Sequence, residues 1–278
     1  MAEQTIEYFN AAAAVKPAAS VKYDVKSIKA LGFKPTALEK EVQITITNSD
    51  TFDAVKKLID SGSQNVAVLN NGSHRKAGGG WKGTAQAQEE CLFRRSNYFQ
   101  TLTDNFYPLV DDEVVYSPEI TVYADSEGEV LETVYTTAAI VGAAPRLMKG
   151  AKYTAKEYNT VQQLIDNIFK VLIANGKTNI VLGAIGCGVF NNPSNIVAKI
   201  FYDSVLRYGQ YFENIVFAVL VTNDSDRQVF NNFVFTFKKI ATVIDEDDDS
   251  SADDEESGAA SSAVNGREFR GRRSEVFD

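Results

Sequence analysis

The 278-residue chain has few of the residues that form disulfides or bind transition metals. It contains two cysteines, Cys91 and Cys187, and one histidine, His74. Two cysteines cannot build a disulfide framework, and they suit a reducing compartment, so we predict a cytoplasmic protein. A single histidine with two cysteines also makes a zinc centre a poor interpretation, and we predict no metal site.

Long apolar stretches are missing as well. No apolar run approaches the ~20 residues that cross a bilayer, and the first twenty residues have no basic leader before an apolar core. We therefore expect neither a membrane span nor a secretion signal. The hydrophobic content of 44% is ordinary for a globular protein, and the length suffices for one large domain or two small ones.

The net charge of −9 is concentrated at the C-terminus. Residues 241–278 contain 12 acidic and 4 basic residues, and the rest of the chain contains 25 and 24. The body is thus almost neutral and need not repel a polyanionic ligand. The stretch has too little apolar surface to offset chain entropy, so we predict a disordered acidic tail over residues 241–278. Either the tail only solvates the protein, or its basic and aromatic end, residues 267–277, docks an unknown protein.

Strand-like and helix-like patterns alternate along the body. Apolar runs or period-two patterns predict strands at residues 42–47, 65–69, 120–123, 134–141, 180–185 and 215–221. Helical spacing predicts helices over residues 51–60, over residues 84–102, and after the capping box that begins at Thr154. This alternation predicts one α/β domain over residues 42–240, with a largely parallel sheet. Residues 1–41 are weakly patterned and are predicted to form an N-terminal extension.

A glycine triplet at residues 78–80 follows the strand at residues 65–69. Seven residues later come Gln88, Glu89 and Glu90. Backbone without Cβ atoms can approach a ligand closely and present N–H groups to it. Two adjacent carboxylates suit a reaction that needs one proton donor and one group that grips sugar hydroxyls. The alternative is that the glutamates are only an acidic first helical turn. The preceding glycines and Gln88 favour the catalytic interpretation.

The position of the two glutamates at the start of a helix conflicts with a role as general acid. A helix N-terminus lowers the pKa of a carboxyl group, whereas a general acid needs its pKa raised. Desolvation by bound substrate, or repulsion between Glu89 and Glu90, must supply the upward shift.

A second glycine-rich element follows the strand at residues 180–185. It precedes a helix that is predicted to start at Asn192-Pro193, which is where α/β sheets bind phosphate. Alone it is equally well explained as a tight turn, but two such loops after two strands favour a clasp for a diphosphate. Its terminal Phe190 is a candidate stacking platform, whereas Trp81 and Tyr98 are better explained as core residues. A nucleophilic Cys187 would need His74 as its base, and this alternative is disfavoured.

The run GGGWKGTAQAQEE at residues 78–90 resembles the signature of the microbial-type poly(ADP-ribose) glycohydrolases. Asn70 and the segments at residues 116–123, 138–145 and 182–193 also look like that family. The resemblance covers roughly residues 42–235. It implies a macrodomain-like α/β/α sandwich around a mixed, largely parallel sheet.

The resemblance also implies an activity, which is the hydrolysis of ribose–ribose O-glycosidic bonds in poly(ADP-ribose) on modified proteins, releasing ADP-ribose. Glu90 would protonate the departing ribose oxygen and then activate water, Glu89 would hold ribose hydroxyls, and Gln88 would help position them. No cofactor is implied. The remaining substrate-binding residues would be Asn70, Gly78, Gly79, Gly80, Gly186, Cys187, Gly188, Val189 and Phe190.

Two other functions stay open. The chain could bind ADP-ribose without cleaving it, or it could hydrolyse mono-ADP-ribosyl groups on protein or nucleic acid. We predict no nucleic-acid-binding surface and no membrane partner. The chain also departs from the family pattern. Ala77 stands where proline is common, which is expected to loosen the loop, and Asn71-Gly72 replaces a more apolar pair, which is expected to alter ribose contacts.

Overall fold

The structure is a computed structural model that describes residues 1–11, 17–32 and 35–245. Within these residues, eight strands form one mixed sheet in the order β1-β4-β5-β3-β6-β7-β2-β8. The pairs β1/β4 and β4/β5 are antiparallel, and the other five pairs are parallel. The strands are β1 (Val21–Tyr23), β2 (Gln43–Thr47), β3 (Val66–Asn71), β4 (Val114–Ala124), β5 (Val130–Gly142), β6 (Asn179–Leu182), β7 (Asn214–Ala218) and β8 (Thr242–Ile244).

Helices cover both faces of the sheet. They are α1 (Ala2–Ala11), α2 (Val25–Ala30), α3 (Thr51–Asp60), α4 (Gln88–Arg94), α5 (Tyr98–Thr101), α6 (Ala155–Ala174), α7 (Ser194–Tyr208) and α8 (Asp224–Phe237). One core holds apolar residues of α2, α6, α7 and α8, and the other holds those of α3, α4 and α5. No described helix has the length and apolar character needed to span a membrane.

Strand β3 shows how one sheet supplies both cores. Ala67 and Leu69 pack with α6 and α7, whereas Val66 and Val68 pack with α3 and α4. Successive side chains of a strand point to opposite faces, so a strand buried on both sides is apolar throughout. The predicted α/β/α architecture with a mixed, largely parallel sheet is confirmed.

The topology brings the two glycine loops together. Strand β3 pairs in parallel with β5 on one side and with β6 on the other. The first glycine loop follows β3, and the second follows β6. Because the carboxyl ends of adjacent parallel strands share an edge, both loops leave the sheet side by side.

The helix predicted over residues 84–102 is two helices. Gly78 and Gly79 have positive φ, and the chain turns until α4 begins at Gln88. After α4, Ser96 forms a bridge with Val122, and the Asn97 N–H donates to the Thr121 carbonyl at 3.1 Å. This pairing with β4 interrupts the helix before α5. A pairing partner so distant in sequence leaves no signal in the local pattern. The sequence therefore predicts one helix where the structure has two.

The N-terminal boundary predicted at residue 42 also needs correction. Strand β1 lies within the predicted extension and pairs with β4, and Ile28 of α2 is buried in the core. Thr5 Oγ1 of α1 donates to the Arg94 carbonyl at 2.6 Å. These elements therefore belong to the same body as the sheet. A three-residue strand is too short to show a period-two pattern.

The C-terminal boundary is shifted in the same way. Strand β8 falls inside the predicted tail, at residues 241–278, and adds to the sheet beside β2. The Asp245 carboxylate accepts a hydrogen bond from Asn48 Nδ2 at 3.0 Å and forms an ion pair with Arg227. The rest of the predicted tail, residues 246–278, lies outside the described residues.

This strand predicts a difference between two truncations. A chain ending at Asp245 should keep the melting temperature of the full chain. A chain ending at Ile240 loses the β8 ladder and both Asp245 contacts, which we expect to cost roughly 2 kcal/mol and lower the Tm by about 5 °C. Scanning calorimetry of the three proteins checks this. Equal Tm values for both truncations would show that β8 adds nothing to stability.

Candidate active site

Gly79 fits between the carboxyl groups of Glu89 and Glu90. A Cβ atom at position 79 would lie 2.4 Å from Glu90 Oε1 and 3.3 Å from Glu89 Oε2. The φ of Gly79 is +51°, in the left-handed region that favours glycine. The glycine triplet therefore gives both glutamates a place against bare backbone. Gly78 N and Gly80 N, which the sequence predicted to face a ligand, donate to Glu89 and Glu90 instead.

Glu89 is held by three N–H donors. Ser73 N donates to Oε2 at 2.8 Å, Gly78 N donates to Oε1 at 3.1 Å, and Asn70 Nδ2 reaches Oε1 at 3.4 Å. Burial nevertheless raises the pKa of Glu89 to about 7, and the neighbouring charge of Glu90 adds to the rise. The hydrogen bonds oppose this shift without cancelling it. A carboxyl group with such a pKa keeps its proton in about half of the molecules at neutral pH.

The carboxyl group of Glu90 accepts fewer hydrogen bonds than that of Glu89. Gly80 N donates to Oε1 at 2.8 Å, and the residue is 8% exposed. In the part of the chain that the structure describes, no group donates to Oε2. One oxygen is therefore anchored by backbone, while the other remains available to a substrate.

Gln88 fixes the start of α4 to β3. Its Nε2 donates to the Leu69 carbonyl at 2.7 Å, and its Oε1 accepts from Asn71 N at 2.8 Å. The amide thus pairs with the backbone of β3 on both of its sides. Through this pairing Gln88 sets where Glu89 and Glu90 project, and its role in positioning ribose hydroxyls stays a prediction.

The raised pKa of Glu89 makes stability depend on pH in a defined direction. The folded protein holds the Glu89 proton up to about pH 7, whereas an ordinary glutamate loses it near 4.5, so stability falls as pH rises through this window. Glu89→Gln removes the titration. Relative to the parent, its free energy of unfolding should increase by roughly 2–3 kcal/mol between about pH 5 and about pH 8.

Urea unfolding at the two pH values checks this expectation. Glu129→Gln, an exposed position between β4 and β5, is the matched control and should show no such trend. A difference between Glu89→Gln and the parent that stays constant with pH would contradict burial as the cause of the shift.

The second glycine loop is tightly packed at one end and open at the other. Gly186 has φ +74°, and a Cβ there would lie 2.6 Å from both Ala144 Cβ and Asn192 Nδ2. Asn192, predicted to cap α7, instead donates to the Pro145 carbonyl at 2.8 Å and to the Gly186 carbonyl at 3.1 Å. A Cβ at Gly188 would meet nothing within 4 Å. The loop is thus in close contact with its neighbours at Gly186 and has open space beside its backbone at Gly188.

A cleft of about 330 Å³ lies along this loop. Of the predicted site residues, it is lined by Gln88, Gly186, Cys187, Gly188, Val189 and Phe190. The others, Asn70, Gly78, Gly79, Gly80, Glu89 and Glu90, are not among its lining residues. Glu89 adjoins the cleft at Gly72, where a Cβ would be 3.6 Å from Glu89 Oε1.

The sequence interpretation missed part of the cleft wall. Asp50 and Thr51 follow β2, and Leu220 and Thr222 follow β7. The rule that ligands bind at the carboxyl ends of parallel strands would have suggested both segments.

The two thiols line the cleft but are poor nucleophiles. Burial raises the pKa of Cys187 and, together with Asp50, that of Cys91. His74 directs its ring nitrogens at the carbonyls of Leu109 and Ala144, so neither nitrogen is placed to accept a thiol proton. These observations count against the Cys187–His74 alternative. Among the described residues, no group of three or more His, Cys, Asp or Glu side chains could hold a metal ion.

Phe190 differs from the other aromatic residues near the loops. Trp81 and Tyr98 are buried in the core, as predicted. Phe190 is half-buried, lies parallel to the His74 ring at 6.1 Å between centroids, and has the Arg146 guanidinium 5.7 Å from its ring centre. It remains the aromatic candidate for contact with a ligand.

Comparison with known proteins agrees with this geometry. Residues 4–125 match the family model described as the microbial-type PARG catalytic domain, PARG being poly(ADP-ribose) glycohydrolase. The poly(ADP-ribose) glycohydrolase of Thermomonospora curvata superposes with a TM-score of 0.77 at 26% identity, covering 85% of this chain and 97% of that one. The resemblance to microbial-type poly(ADP-ribose) glycohydrolases is confirmed.

Other solved structures of these glycohydrolases contain ligands. The Thermomonospora curvata enzyme bound to the inhibitor ADP-HPD has a TM-score of 0.73 at 26% identity, covering 85% of this chain and 97% of that one. The Deinococcus radiodurans enzyme in complex with ADP-ribose has a TM-score of 0.71 at 24% identity, covering 80% and 95%. None of the functionally curated proteins compared with the chain matches it.

The departures from the glycohydrolase pattern are accommodated locally. Ala77 N donates to Asp104 Oδ1 at 2.9 Å, a bond that proline could not make, so the loop gains an anchor where proline is missing. Asn71 lies against the second loop, since a Cβ at Gly183 would be 2.7 Å from Asn71 Nδ2. A Cβ at Gly72 would be 2.2 Å from Val141 Cγ2, so this position admits no larger residue without a shift in β5.

Proposed function

We propose that the protein hydrolyses ribose–ribose O-glycosidic bonds in poly(ADP-ribose) and releases ADP-ribose. The observation that carries the proposal is the placement of Glu89 and Glu90 around Gly79, beside a cleft lined by a second glycine loop. The similarity to poly(ADP-ribose) glycohydrolases in sequence and fold supports it. The modified protein that carries the polymer is the partner in this reaction.

In this proposal Glu90 is the general acid and then the general base. Its carboxyl proton passes to the departing ribose oxygen as the bond from that oxygen to the anomeric carbon breaks, through an oxocarbenium-like state. A water molecule then adds to the anomeric carbon and gives its proton to Glu90, which restores the acid. The free Oε2 is the oxygen suited to this exchange.

Glu89 is proposed to hold the ribose rather than to transfer the proton. Its oxygens accept from Ser73 N, Gly78 N and Asn70 Nδ2, so its position is fixed before a substrate arrives. Each carboxyl oxygen can accept more than one hydrogen bond, which leaves capacity for ribose hydroxyls. A pKa of about 7 also limits the charge that Glu89 adds next to the acid.

The two glycine loops are proposed to bind the diphosphate and the terminal ribose. Gly188 leaves open space beside the backbone, and its loop lines the cleft. Phe190 is proposed to contact a ring of the ligand. The predicted cytoplasmic location and the docking role of residues 267–277 stay predictions.

An assay with two substrates tests the proposed function. The protein is incubated with poly(ADP-ribose) and with a mono-ADP-ribosylated protein, and the products are identified by mass spectrometry. We expect free ADP-ribose from the polymer. Release from the mono-modified protein alone would favour the mono-ADP-ribosyl hydrolase, and binding without product would favour a non-catalytic ADP-ribose module.

Substitutions of two glycines in the second loop should separate binding from folding. Gly188→Val places its side chain in open space, so the protein should fold normally while ADP-ribose affinity falls about tenfold or more. Gly186→Val meets Ala144 and Asn192 and requires a positive φ, so it should instead lower stability. Isothermal calorimetry with ADP-ribose and thermal unfolding give the two readouts. Unchanged affinity in folded Gly188→Val would remove this loop from the binding site.

A further inference from the structure

Two segments at the glycine loops carry basic side chains and no aspartate or glutamate. They are residues 73–88, which contain the first glycine loop, and residues 143–152, which follow β5. Their lysines and arginines are all exposed, and they are Arg75, Lys76, Lys82, Arg146, Lys149 and Lys152. None of these side chains forms an ion pair within the described part of the chain. In a nearly neutral body, this is a local excess of positive charge.

Contacts bring the two basic segments together at the end of the second glycine loop. His74 Nε2 lies 2.8 Å from the Ala144 oxygen, so the first segment touches the second. Leu147 N donates to the Phe190 carbonyl at 2.9 Å, and the Arg146 guanidinium lies 5.7 Å from the centre of the Phe190 ring. The two basic segments therefore adjoin next to Phe190.

The neighbouring acidic residues do not cancel this charge. Residues 104–113 contact the first segment and carry four carboxylates, which are Asp104, Asp111, Asp112 and Glu113. Glu113 pairs with Lys22 at 2.8 Å, and Asp104 Oδ1 accepts from Ala77 N at 2.9 Å. Since Glu113 is neutralised by Lys22, three carboxylates lie beside six cations.

Met148 adds an apolar side chain to the basic surface. It lies between Arg146 and Lys149 in the chain and is 83% exposed. A single exposed apolar residue needs no explanation by itself. Cations together with an exposed apolar or aromatic face, however, are what binds single-stranded polymers of nucleotides, because phosphates pair with the cations while bases stack on the face. Poly(ADP-ribose) has both groups, a diphosphate and an adenine, in every unit.

These side chains lie outside the set that lines the cleft, although Phe190 belongs to that set. In the proposed function the terminal ADP-ribose unit occupies the cleft. The bond that is broken at Glu90 joins this unit to the adenosine of the next one. The next unit must therefore lie outside the cleft, where the basic segments are exposed.

We propose that Arg75, Lys76, Arg146, Met148 and Lys149 form an outer subsite that binds the next ADP-ribose unit of the polymer. The cations hold its diphosphate, and Met148 contacts its adenine. The outer subsite rests on the proposed function, because it takes the terminal unit to occupy the cleft. A single ADP-ribosyl group on a protein has no next unit, so the outer subsite favours the polymer over a mono-modified protein.

A charge reversal in each segment tests the outer subsite. Lys76→Glu/Lys149→Glu should raise KM for a short ADP-ribose oligomer about tenfold at low salt, because two contacts with phosphate are replaced by repulsion. The value of kcat should not change, since the substitutions lie outside the cleft. The Kd for free ADP-ribose, measured by calorimetry, should stay within about twofold of the parent value, because free ADP-ribose occupies the cleft alone. Added salt should raise KM more steeply for the parent than for this variant.

Met148→Ser tests the apolar contact separately. It should raise KM for the oligomer about threefold through lost stacking, and it should keep the salt dependence of the parent because the cations remain. A KM for Met148→Ser equal to that of the parent would overturn the assignment of adenine to Met148.

Lys40→Glu/Lys239→Glu is the matched control for the charge reversal. Both lysines are exposed and precede β2 and β8, so they lie at the edge of the sheet opposite to the glycine loops. The control changes the net charge by the same amount and should leave KM nearly unchanged. Equal KM values for the two double variants, or a rise in the Kd for ADP-ribose as large as the rise in KM, would overturn the outer subsite.

Two further measurements separate the alternatives. A deoxyadenosine oligonucleotide with as many phosphates as the oligomer should inhibit the parent only weakly, since it lacks the unit that fills the cleft. Inhibition at the concentration of the oligomer's KM would overturn the assignment to poly(ADP-ribose) in favour of a nucleic-acid surface. A parent that does not cleave the oligomer would contradict the proposed function. The Kd of the intact oligomer, compared between the two double variants, would then decide whether the outer subsite exists.

Discussion

Glu90→Gln should reduce single-turnover hydrolysis of poly(ADP-ribose) by about 10²–10⁴-fold, which corresponds to roughly 3–5 kcal/mol of barrier. Glutamine matches glutamate in size and can still accept from Gly80 N, but it has no carboxyl proton to give. The substituted site should therefore still bind ADP-ribose with nearly the parent affinity. The variant is therefore expected to lose rate in the chemical step and not affinity for ADP-ribose.

Glu89→Gln is the matched comparison for this result. Glu89 accepts from Ser73 N and Gly78 N on its two oxygens, and an amide can accept on only one side. We expect this variant to lose more ADP-ribose affinity than Glu90→Gln and to lose less in the chemical step. Single-turnover kinetics and calorimetry on both variants give the two quantities. Hydrolysis by Glu90→Gln at the parent rate would mean that the acid lies elsewhere.

Gly79→Ala should reduce turnover by at least about 100-fold, because even one methyl group displaces the proposed acid. A Cβ at residue 79 would lie 2.4 Å from Glu90 Oε1, and the backbone there has a positive φ. The left-handed conformation alone costs an alanine about 1–2 kcal/mol, and the contact with Glu90 can be relieved only by moving the carboxyl group. A misplacement of about 1 Å at a reacting group can cost about 100-fold in rate, so the expected loss of turnover follows from the displaced carboxyl group.

Gly83→Ala controls for the loss of a glycine in the same loop. Its Cβ would lie 3.4 Å from the Gly80 carbonyl, an ordinary contact, and its φ lies outside the left-handed region. Circular dichroism and thermal unfolding show whether each variant is folded, and turnover is compared among folded proteins. A folded Gly79→Ala with the turnover of Gly83→Ala would contradict the packing of Glu90 against bare backbone.

Local patterns in the sequence predicted most of the sheet. The apolar runs at residues 42–47 and 65–69 correspond to β2 and β3, and the capping box at Thr154 begins α6 as expected. These elements are specified by their own residues through periodicity and caps. Strands β1 and β8 escaped prediction because each has only three residues and is fixed by pairing with a distant strand.

The sequence predicted which residues form the site, but it could not predict their contacts or the pKa of Glu89. The spacing of the glycine triplet from Gln88, together with the family resemblance, selected the glutamates that surround Gly79. The shift in the pKa of Glu89 could not be predicted, because it depends on burial and on donors such as Ser73 N that only the fold brings near. The contacts of His74 could not be predicted either, because its two carbonyl partners lie 35 and 70 residues away.

A crystal structure of the Glu90→Gln protein soaked with poly(ADP-ribose) fragments tests the central claim most directly. The account predicts a terminal ribose within hydrogen-bonding distance of Glu89 and of the substituted residue 90. It also predicts the diphosphate against the backbone of Gly186 and Gly188. A fragment bound away from both glycine loops, or a ribose that reaches neither position 89 nor position 90, would contradict it.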